Sequence, residues 1–141
     1  TATAASKFGV PVPPAPGSGQ PPPLPAALLA AFRAHPWLTA LHVHVGSQGC
    51  PLEMAARGVA HMLALAQARN RDLGSRQGRP RPMGGGLPGD FARPDTPPLF
   101  AAYAAELRRH APGLFSGEFE VLSEFGRSLV ARAGFIAARV E

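Results

Sequence analysis

The sequence has little of several residue types on which small protein domains often depend. Of its 141 residues, Cys50 is the only cysteine and Lys7 the only lysine. One cysteine excludes an internal disulfide framework and a multi-cysteine zinc site within this chain. No apolar run approaches the roughly 20 residues that span a bilayer, and no charged stretch followed by a long apolar one begins the chain. We therefore expect a soluble cytoplasmic protein, or a plastid protein if a targeting peptide precedes Thr1, with no membrane partner.

The positive charge is carried almost entirely by arginine. Thirteen arginines and one lysine face nine carboxylates, which gives a net charge of +5 and favours anionic ligands. A basic run contains Arg69, Arg71, Arg76, Arg79 and Arg81. It has no interleaved aromatic residues on which bases could stack. We therefore expect no nucleic-acid partner, and an arginine-rich binding protein is the third-ranked reading.

The first half of the chain predicts an insert followed by three regular elements. Prolines dominate residues 10–25, which predicts a surface insert or linker without a strand ladder. The segment Ala26 to Ala34 is rich in alanine and leucine and predicts a short helix. Trp37 to Val45 predicts a buried strand that runs into a glycine loop. Apolar residues then recur at helical spacing from Leu52 to near Arg71. They are Leu52, Ala55, Val59, Met62, Leu63 and Ala66.

The second half continues the alternation less clearly. Arginines and prolines interrupt residues 76–82, where a buried strand would otherwise lead into three glycines. Thr96 and Pro97 are predicted to begin a second amphipathic helix that ends at Pro112. Beyond it we expect strands at Phe119 to Leu122 and Phe135 to Val140, with a short helical turn between them at Ser128 to Ala133. Alternating strands and helices indicate an α/β fold.

Each candidate functional feature has a structural alternative when it is taken alone. Gly84-Gly85-Gly86 could surround a phosphate with unhindered amides, but a flexible loop is the commoner meaning. His42 and His44 share one face of the predicted strand and could be core histidines, since no third metal ligand has a recognisable spacing. Ser47 could be a turn residue. Glu124 and Arg127 could be a solvated ion pair worth under about 1 kcal/mol.

Four motifs in order change this interpretation. They are Ser6-Lys7-Phe8-Gly9, His42-Val43-His44-Val45-Gly46-Ser47-Gln48, Gly84-Gly85-Gly86-Leu87-Pro88, and Glu124-Phe125-Gly126-Arg127-Ser128-Leu129 leading to Ala138-Arg139-Val140. In identity and spacing they resemble the barrel-type (fold type III) pyridoxal-phosphate-dependent decarboxylases that act on diaminopimelate, ornithine and arginine. The resemblance covers nearly the whole chain apart from the proline-rich insert and residues 74–82.

The resemblance implies a role for each matching residue around pyridoxal 5′-phosphate. His44 is similar to the imidazole that stacks on the pyridine ring, and Ser47 to a hydroxyl ligand of the phosphate. The amides of Gly84, Gly85 and Gly86 would surround that phosphate. Glu124 is similar to the carboxylate that keeps the pyridine nitrogen protonated, and Arg127 to a further phosphate ligand.

The resemblance assigns no catalytic residue to this chain. In the family the Schiff-base lysine lies on an earlier strand, upstream of the motif that contains Lys7, so Lys7 does not take that role. Cys50 does not match the family's catalytic cysteine, which belongs to the C-terminal β domain. We expect both residues to be structural, and we expect the isolated chain to be inactive.

Two departures from the family pattern affect the expected site. Arg81-Pro82-Met83 stands where the family usually has an apolar residue and an acid before the glycines, so the strand below the phosphate loop is expected to be distorted. Phe125 replaces a more usual proline between the glutamate and the glycine. That change alters local rigidity and leaves Glu124 and Arg127 in place.

The implied fold is α/β, the second half of a (β/α)8 TIM-type barrel. Residues 1–134 would form the partial cofactor-binding barrel, and 135–141 the first strand towards a C-terminal β domain. The implied activity is decarboxylation of a small amino-acid substrate, meso-diaminopimelate to give lysine, in a protein that is a homodimer when full length. The alternatives are ornithine or arginine decarboxylation in polyamine synthesis, and a non-catalytic regulatory homologue.

Overall fold

The computed structural model describes residues 9, 10, 12, 24–46, 50–74, 81–87, 99–131 and 133–140. Helices and strands alternate along these segments. Their order is α1 (Ala26–Ala34), β1 (Ala40–Val43), α2 (Leu52–Leu73), β2 (Arg81–Gly84), α3 (Phe100–His110), a 3-10 helix (Pro112–Phe115), β3 (Leu122–Ser123) and α4 (Arg127–Val130).

The three strands form one parallel sheet in the order β1-β2-β3. Leu41 lies opposite Pro82, and Met83 lies opposite Leu122. The connection from β1 to β2 contains α2, and that from β2 to β3 contains α3. The two helices pack against each other. Sequential parallel strands joined by helices place all three carboxyl-terminal strand ends along one edge.

Side chains alternate between two unlike faces of this sheet. Along β1, Leu41 and Val43 are partly buried while Ala40 and His42 are exposed. Val43 and Val45 line an apolar cleft with residues of α2 and α3, and Phe125 lines the same cleft. We call the side of Leu41, Val43, Val45 and Phe125 the covered face. The opposite side, with His42, His44 and Glu124, is the open face, and all three of its residues are exposed.

Helix α2 is the centre of the hydrophobic core because two of its sides are buried. Leu63 and Ala66 pack with Ala111, Leu114 and Phe119 at the side of α3 and the 3-10 helix. The predicted burial of Met62, Leu63 and Ala66 is confirmed. Gly74 follows the last residue Leu73 with φ 71° and ψ 170°, a backbone conformation that glycine adopts without the strain of a side chain.

The second buried side of α2 packs against α1. Leu65 and Ala68 form a cluster with Leu24 and Phe32. Arg69 lies beside this cluster and is only 1% exposed. Its guanidinium carbon lies 4.9 Å from the centre of the Phe32 ring, and its Nη2 donates to the Leu38 carbonyl oxygen at 3.3 Å. Arg69 is therefore a buried link between α1, the segment before β1, and α2, and adds nothing to a basic surface.

A regular strand occupies the end of the segment where the sequence pattern fails. Arg81–Gly84 pairs with β1 over four residues despite Pro82. The ladder to β3 begins at Met83, so at Pro82 strand β2 is paired on one side only, with β1. A proline without an amide hydrogen is compatible with that position. The expected distortion of the pairing is therefore not found at Arg81–Gly84.

Other predicted boundaries shift in the structure. The strand predicted at Phe119 to Leu122 is Leu122–Ser123, while Phe119 is buried in the core before it. No strand occurs at 134–140, where Phe135, Ile136 and Val140 are more than nine-tenths exposed; the predicted strand there is wrong because no neighbouring strand pairs with it in the described chain. The predicted turn at Ser128 to Ala133 is α4. Thr96 and Pro97 lie outside the described residues, and α3 begins at Phe100.

None of the described helices combines the length and apolar character that a bilayer-spanning helix requires. Most of the proline-rich insert, residues 11 and 13–23, also lies outside the described part of the chain.

Candidate functional site

The candidate ligand residues singled out in the sequence lie at or directly after the ends of all three strands. His44 comes directly after β1, Gly84 is the last residue of β2, and Glu124 comes directly after β3. The Glu124 amide donates to the Gly84 carbonyl oxygen at 2.8 Å. This bond continues the β2–β3 pairing past Ser123. Glu124 is thereby held beside the glycine triplet.

The triplet is closely enclosed by backbone from its two neighbouring strands. A Cβ atom on Gly84 would lie 2.8 Å from the Val43 carbonyl oxygen, and one on Gly85 would lie 2.8 Å from the Glu124 carbonyl oxygen. Gly86 has φ 100°, and a Cβ there would overlap the Gly46 carbonyl oxygen. These contacts require glycine for packing alone. The triplet is a strand end in a fixed conformation and not simply a flexible loop.

His44 lies next to the triplet on the open face. Its Cε1 atom is 3.4 Å from the position that a Cβ on Gly86 would take. The imidazole is exposed, whereas its neighbours Val43 and Val45 line the apolar cleft on the covered face. This alternation follows from the two-residue period of an extended chain. An exposed ring beside side-chain-free backbone is accessible to a planar ligand.

His42 makes a contact that its predicted role as packing does not include. Its Nε2 lies 3.1 Å from Glu124 Oε2, and both side chains are about half exposed. Because an ionised carboxylate only accepts hydrogen bonds, Nε2–H donates to Glu124 in this arrangement. Because β2 lies between β1 and β3, the contact crosses the end of β2. His42 therefore belongs to the same group as His44 and Glu124.

Phe125, which stands where the family that the sequence resembles usually has a proline, is held by aromatic contacts. Its ring centre lies 5.8 Å from that of Phe100 and 6.1 Å from that of Tyr103. Both partners are residues of α3 and line the apolar cleft at the covered face. Phe125 therefore packs on one side of the sheet while the preceding Glu124 side chain lies on the other. Aromatic packing, which prefers tilted rings at such distances, restrains this segment.

Cys50 lies near the loop that follows β1, and it is close enough to Tyr103 to affect the pKa of that side chain. A Cβ on Gly46 would lie 3.1 Å from the Cys50 Cβ and 3.3 Å from its Sγ, so Cys50 packs against the loop that follows His44. Burial raises the pKa of Tyr103, and the nearby Cys50 thiol raises it further.

The other predicted side-chain ligands of the cofactor are Arg127 and Ser47. Arg127 is exposed and is the first residue of α4, directly after Gly126. Ser47 lies outside the described residues, as does Lys7. In the described ranges, no group of three histidine, cysteine or carboxylate side chains could hold a metal ion.

The donor set is chemically suited to pyridoxal phosphate. The open face supplies an imidazole, a carboxylate and glycine backbone without side chains at one strand edge, which are the groups that a planar, anionic pyridine cofactor requires. Comparison with protein-family models, with curated proteins and with solved structures gives no match.

Proposed function

We propose that this chain forms the cofactor-binding part of a pyridoxal-phosphate-dependent amino-acid decarboxylase. One observation carries the proposal: His44, Gly84–Gly86 and Glu124, matched to separate motifs by sequence resemblance, lie at one edge of a parallel sheet. The carboxyl-terminal ends of parallel strands are also where barrel enzymes bind ligands.

The winding of the sheet supports a segment of a (β/α)8 barrel. Strand order follows chain order, and α2 and α3 pack together beside one face of the sheet. In a barrel every helix lies outside, side chains of the strands fill the interior, and the functional groups lie at the carboxyl-terminal ends of the strands. A doubly wound fold would place helices on both faces. Under this proposal the open face is the inner face of the barrel.

Bound pyridoxal phosphate would supply an electron sink for the charge left when carbon dioxide departs. This chain's residues would bind and orient it. Glu124 would hold a proton at the pyridine nitrogen, because a neighbouring negative charge favours the protonated ring. His44 would stack on the ring. Gly84, Gly85 and Gly86 would leave space for the phosphate, and Arg127 and Ser47 would complete its ligands.

Binding is tested with the 141-residue chain and pyridoxamine 5′-phosphate, which needs no Schiff-base lysine. Calorimetry should detect saturable binding, and Glu124→Gln should weaken it about tenfold, as for loss of a charge-assisted hydrogen bond. Glu120→Gln, an exposed carboxylate on the same segment, is the matched control and should bind as the unaltered chain does. Equal binding by the two variants would refute the role of Glu124.

We propose meso-diaminopimelate as the substrate, with ornithine and arginine as alternatives, in a full-length homodimer. The assay is carbon dioxide release by the full-length protein with each of the three amino acids. Cofactor binding without release from any of them would reject the decarboxylase. A full-length protein without the visible absorbance of bound cofactor would instead favour the non-catalytic regulatory homologue.

A further inference from the structure

The contact between His42 and Glu124 places His42 against the carboxylate assigned to the ligand, and the resemblance gives His42 no such role. Glu124 is held in three ways. Its amide donates to the Gly84 carbonyl oxygen at 2.8 Å, its backbone packs closely against Gly85, and its carboxylate lies 3.1 Å from His42 Nε2. The first two contacts restrain the main chain only. Among the described residues, the His42 contact is the one that restrains the carboxylate.

Side-chain freedom makes this third contact consequential. A glutamate has three rotatable side-chain bonds, and ordering them costs up to about 2 kcal/mol. The Glu124 side chain is half exposed, so burial does not select a rotamer for it. A hydrogen bond from a histidine on a regular strand does select one. His42 is in the middle of β1, opposite Met83 in the ladder, and its backbone is therefore well fixed.

The strand between the two partners has the composition that the contact needs. His42 lies on β1 and Glu124 follows β3, so the hydrogen bond spans the end of β2. Any side chain at residue 85 would meet the Glu124 backbone. The glycine at residue 85 thus allows the close approach of Glu124 to β2.

We propose that His42 is a positioning residue that orients the Glu124 carboxylate towards the ring nitrogen of a bound pyridine ligand. Nε2–H donates to Oε2, which leaves Oε1 to accept from the protonated ring nitrogen. The inference rests on the proposed function, since it concerns how the same site recognises its ligand. It assigns His42 to selectivity for a ring nitrogen and not to general affinity.

Selectivity is measured with two probes, pyridoxamine 5′-phosphate and its analogue with a CH group in place of the ring nitrogen. The unaltered chain should prefer the first by about tenfold or more, the amount expected for one charge-assisted hydrogen bond. His42→Leu should reduce the preference to less than about threefold. His42→Gln, which keeps an amide donor near the Nε2 position, should restore most of it. Circular dichroism confirms that each variant is folded.

The outcomes separate this inference from the proposed function. If the unaltered chain binds neither probe, both fail. If it binds with the expected preference and His42→Leu keeps that preference, or loses affinity for both probes equally, the positioning role is wrong and the proposed function stands.

A second measurement avoids the leucine variant, should it not fold. The spectrum of the Glu124→Gln variant, which keeps His42, is compared with that of the unaltered chain. The His42 Nε2 resonance should shift in a nitrogen-detected spectrum, because the acceptor loses its charge. An unchanged Nε2 resonance would overturn the contact itself. His35, exposed and remote on the chain at the end of α1, is the internal control and should not shift.

Discussion

The covered and open faces of the β1–β2–β3 sheet use alternate residues of the same strands for different purposes. Leu41 and Val43 meet the helices, whereas His42 and His44 between and beside them are exposed. Phe125 packs on the aromatic rings of α3, while the preceding Glu124 contacts His42. Because a strand repeats every two residues, a single short segment supplies both packing and ligand chemistry.

The comparison teaches that stability and ligand binding should respond to separate substitutions. Parallel sheets usually have apolar residues on both faces. Here the open face carries two imidazoles and a carboxylate, which contribute little to a core. Substitutions on the covered side should therefore lower the free energy of unfolding, and those on the open side should alter binding.

Leu63→Ala should have the largest effect. Leu63 is 6% exposed and belongs to the cluster that joins α2 to Leu114 and Phe119. Loss of a buried leucine side chain leaves a cavity and should lower the free energy of unfolding by about 2 to 5 kcal/mol. Leu129→Ala, at a 63% exposed leucine, should change it by less than about 0.5 kcal/mol. Urea unfolding followed by circular dichroism measures both, and similar losses would contradict the assigned core.

Gly86→Ala should sharpen the comparison, since Gly86 lies beside His44 and also packs closely against the Gly46 backbone. The alanine Cβ would overlap the Gly46 carbonyl oxygen at a residue with φ 100°, so we expect a loss of about 3 kcal/mol, the upper range for a strained backbone. Gly117→Ala is the matched control. It also has positive φ but nothing within 4 Å of its Cβ position, and should lose about 1 kcal/mol. Equal losses in urea unfolding would show that the close approach at Gly86 is wrong.

Phe125→Ala tests the place where we expect the separation between the faces to fail, because Phe125 on the covered face directly follows Glu124 on the open face. Phe125 is partly buried between Phe100 and Tyr103, and we expect a loss of about 1 to 2 kcal/mol, mainly from aromatic pairing and buried area. Because Phe125 adjoins Glu124, binding of pyridoxamine 5′-phosphate should weaken as well. Phe125→Leu, which keeps an apolar side chain, should retain more of both. Lost stability with unchanged binding would mean that the faces are independent here.

Tyr103 predicts a smaller, pH-dependent effect on the covered side. Its pKa is raised, first by burial and then by Cys50, so the folded chain holds the phenol proton more tightly than the unfolded chain does. This contribution to stability is complete below the unfolded pKa of about 10 and is lost as pH rises through the folded value. Tyr103→Phe should reduce that alkaline loss.

Tyr103 is the only tyrosine, so phenolate absorbance reports its titration directly. Cys50→Ser should move the midpoint down towards the ordinary value, because the nearby thiolate charge is removed. A midpoint at the ordinary tyrosine pKa in the unaltered chain would contradict the burial of this ring.

Local patterns predict much of the helical fold. The α1 segment Ala26–Ala34 agrees with its predicted bounds, and α2 begins at Leu52 as its apolar spacing indicates. Helix signals are contained within a few turns of the chain. Strand β2 could not be predicted in the same way. Pro82 is compatible with it because the pairing with β3 begins only at the next residue, Met83. Phe119 was assigned to a strand because an apolar residue alone does not distinguish a strand from a core loop.

The candidate site was predictable in part. Parallel strands bring His44, Gly84 and Glu124 to one edge, which the α/β pattern indicates. The His42–Glu124 contact joins residues 82 apart, and no local period records such a pair. Arg69 likewise owes its burial to Phe32 and Leu38 on distant segments, whereas its sequence neighbours suggested a basic surface.

The most direct test of the cofactor site is a backbone amide spectrum of the ¹⁵N-labelled chain titrated with pyridoxamine 5′-phosphate. We predict saturable shifts at His44, Gly84, Gly85, Gly86 and Glu124. Amides of α1 and of the outer part of α3, which pack on the covered side, should stay in place. Saturable shifts confined to those helices, or no shifts at millimolar probe, would contradict a pyridoxal phosphate site on the open face.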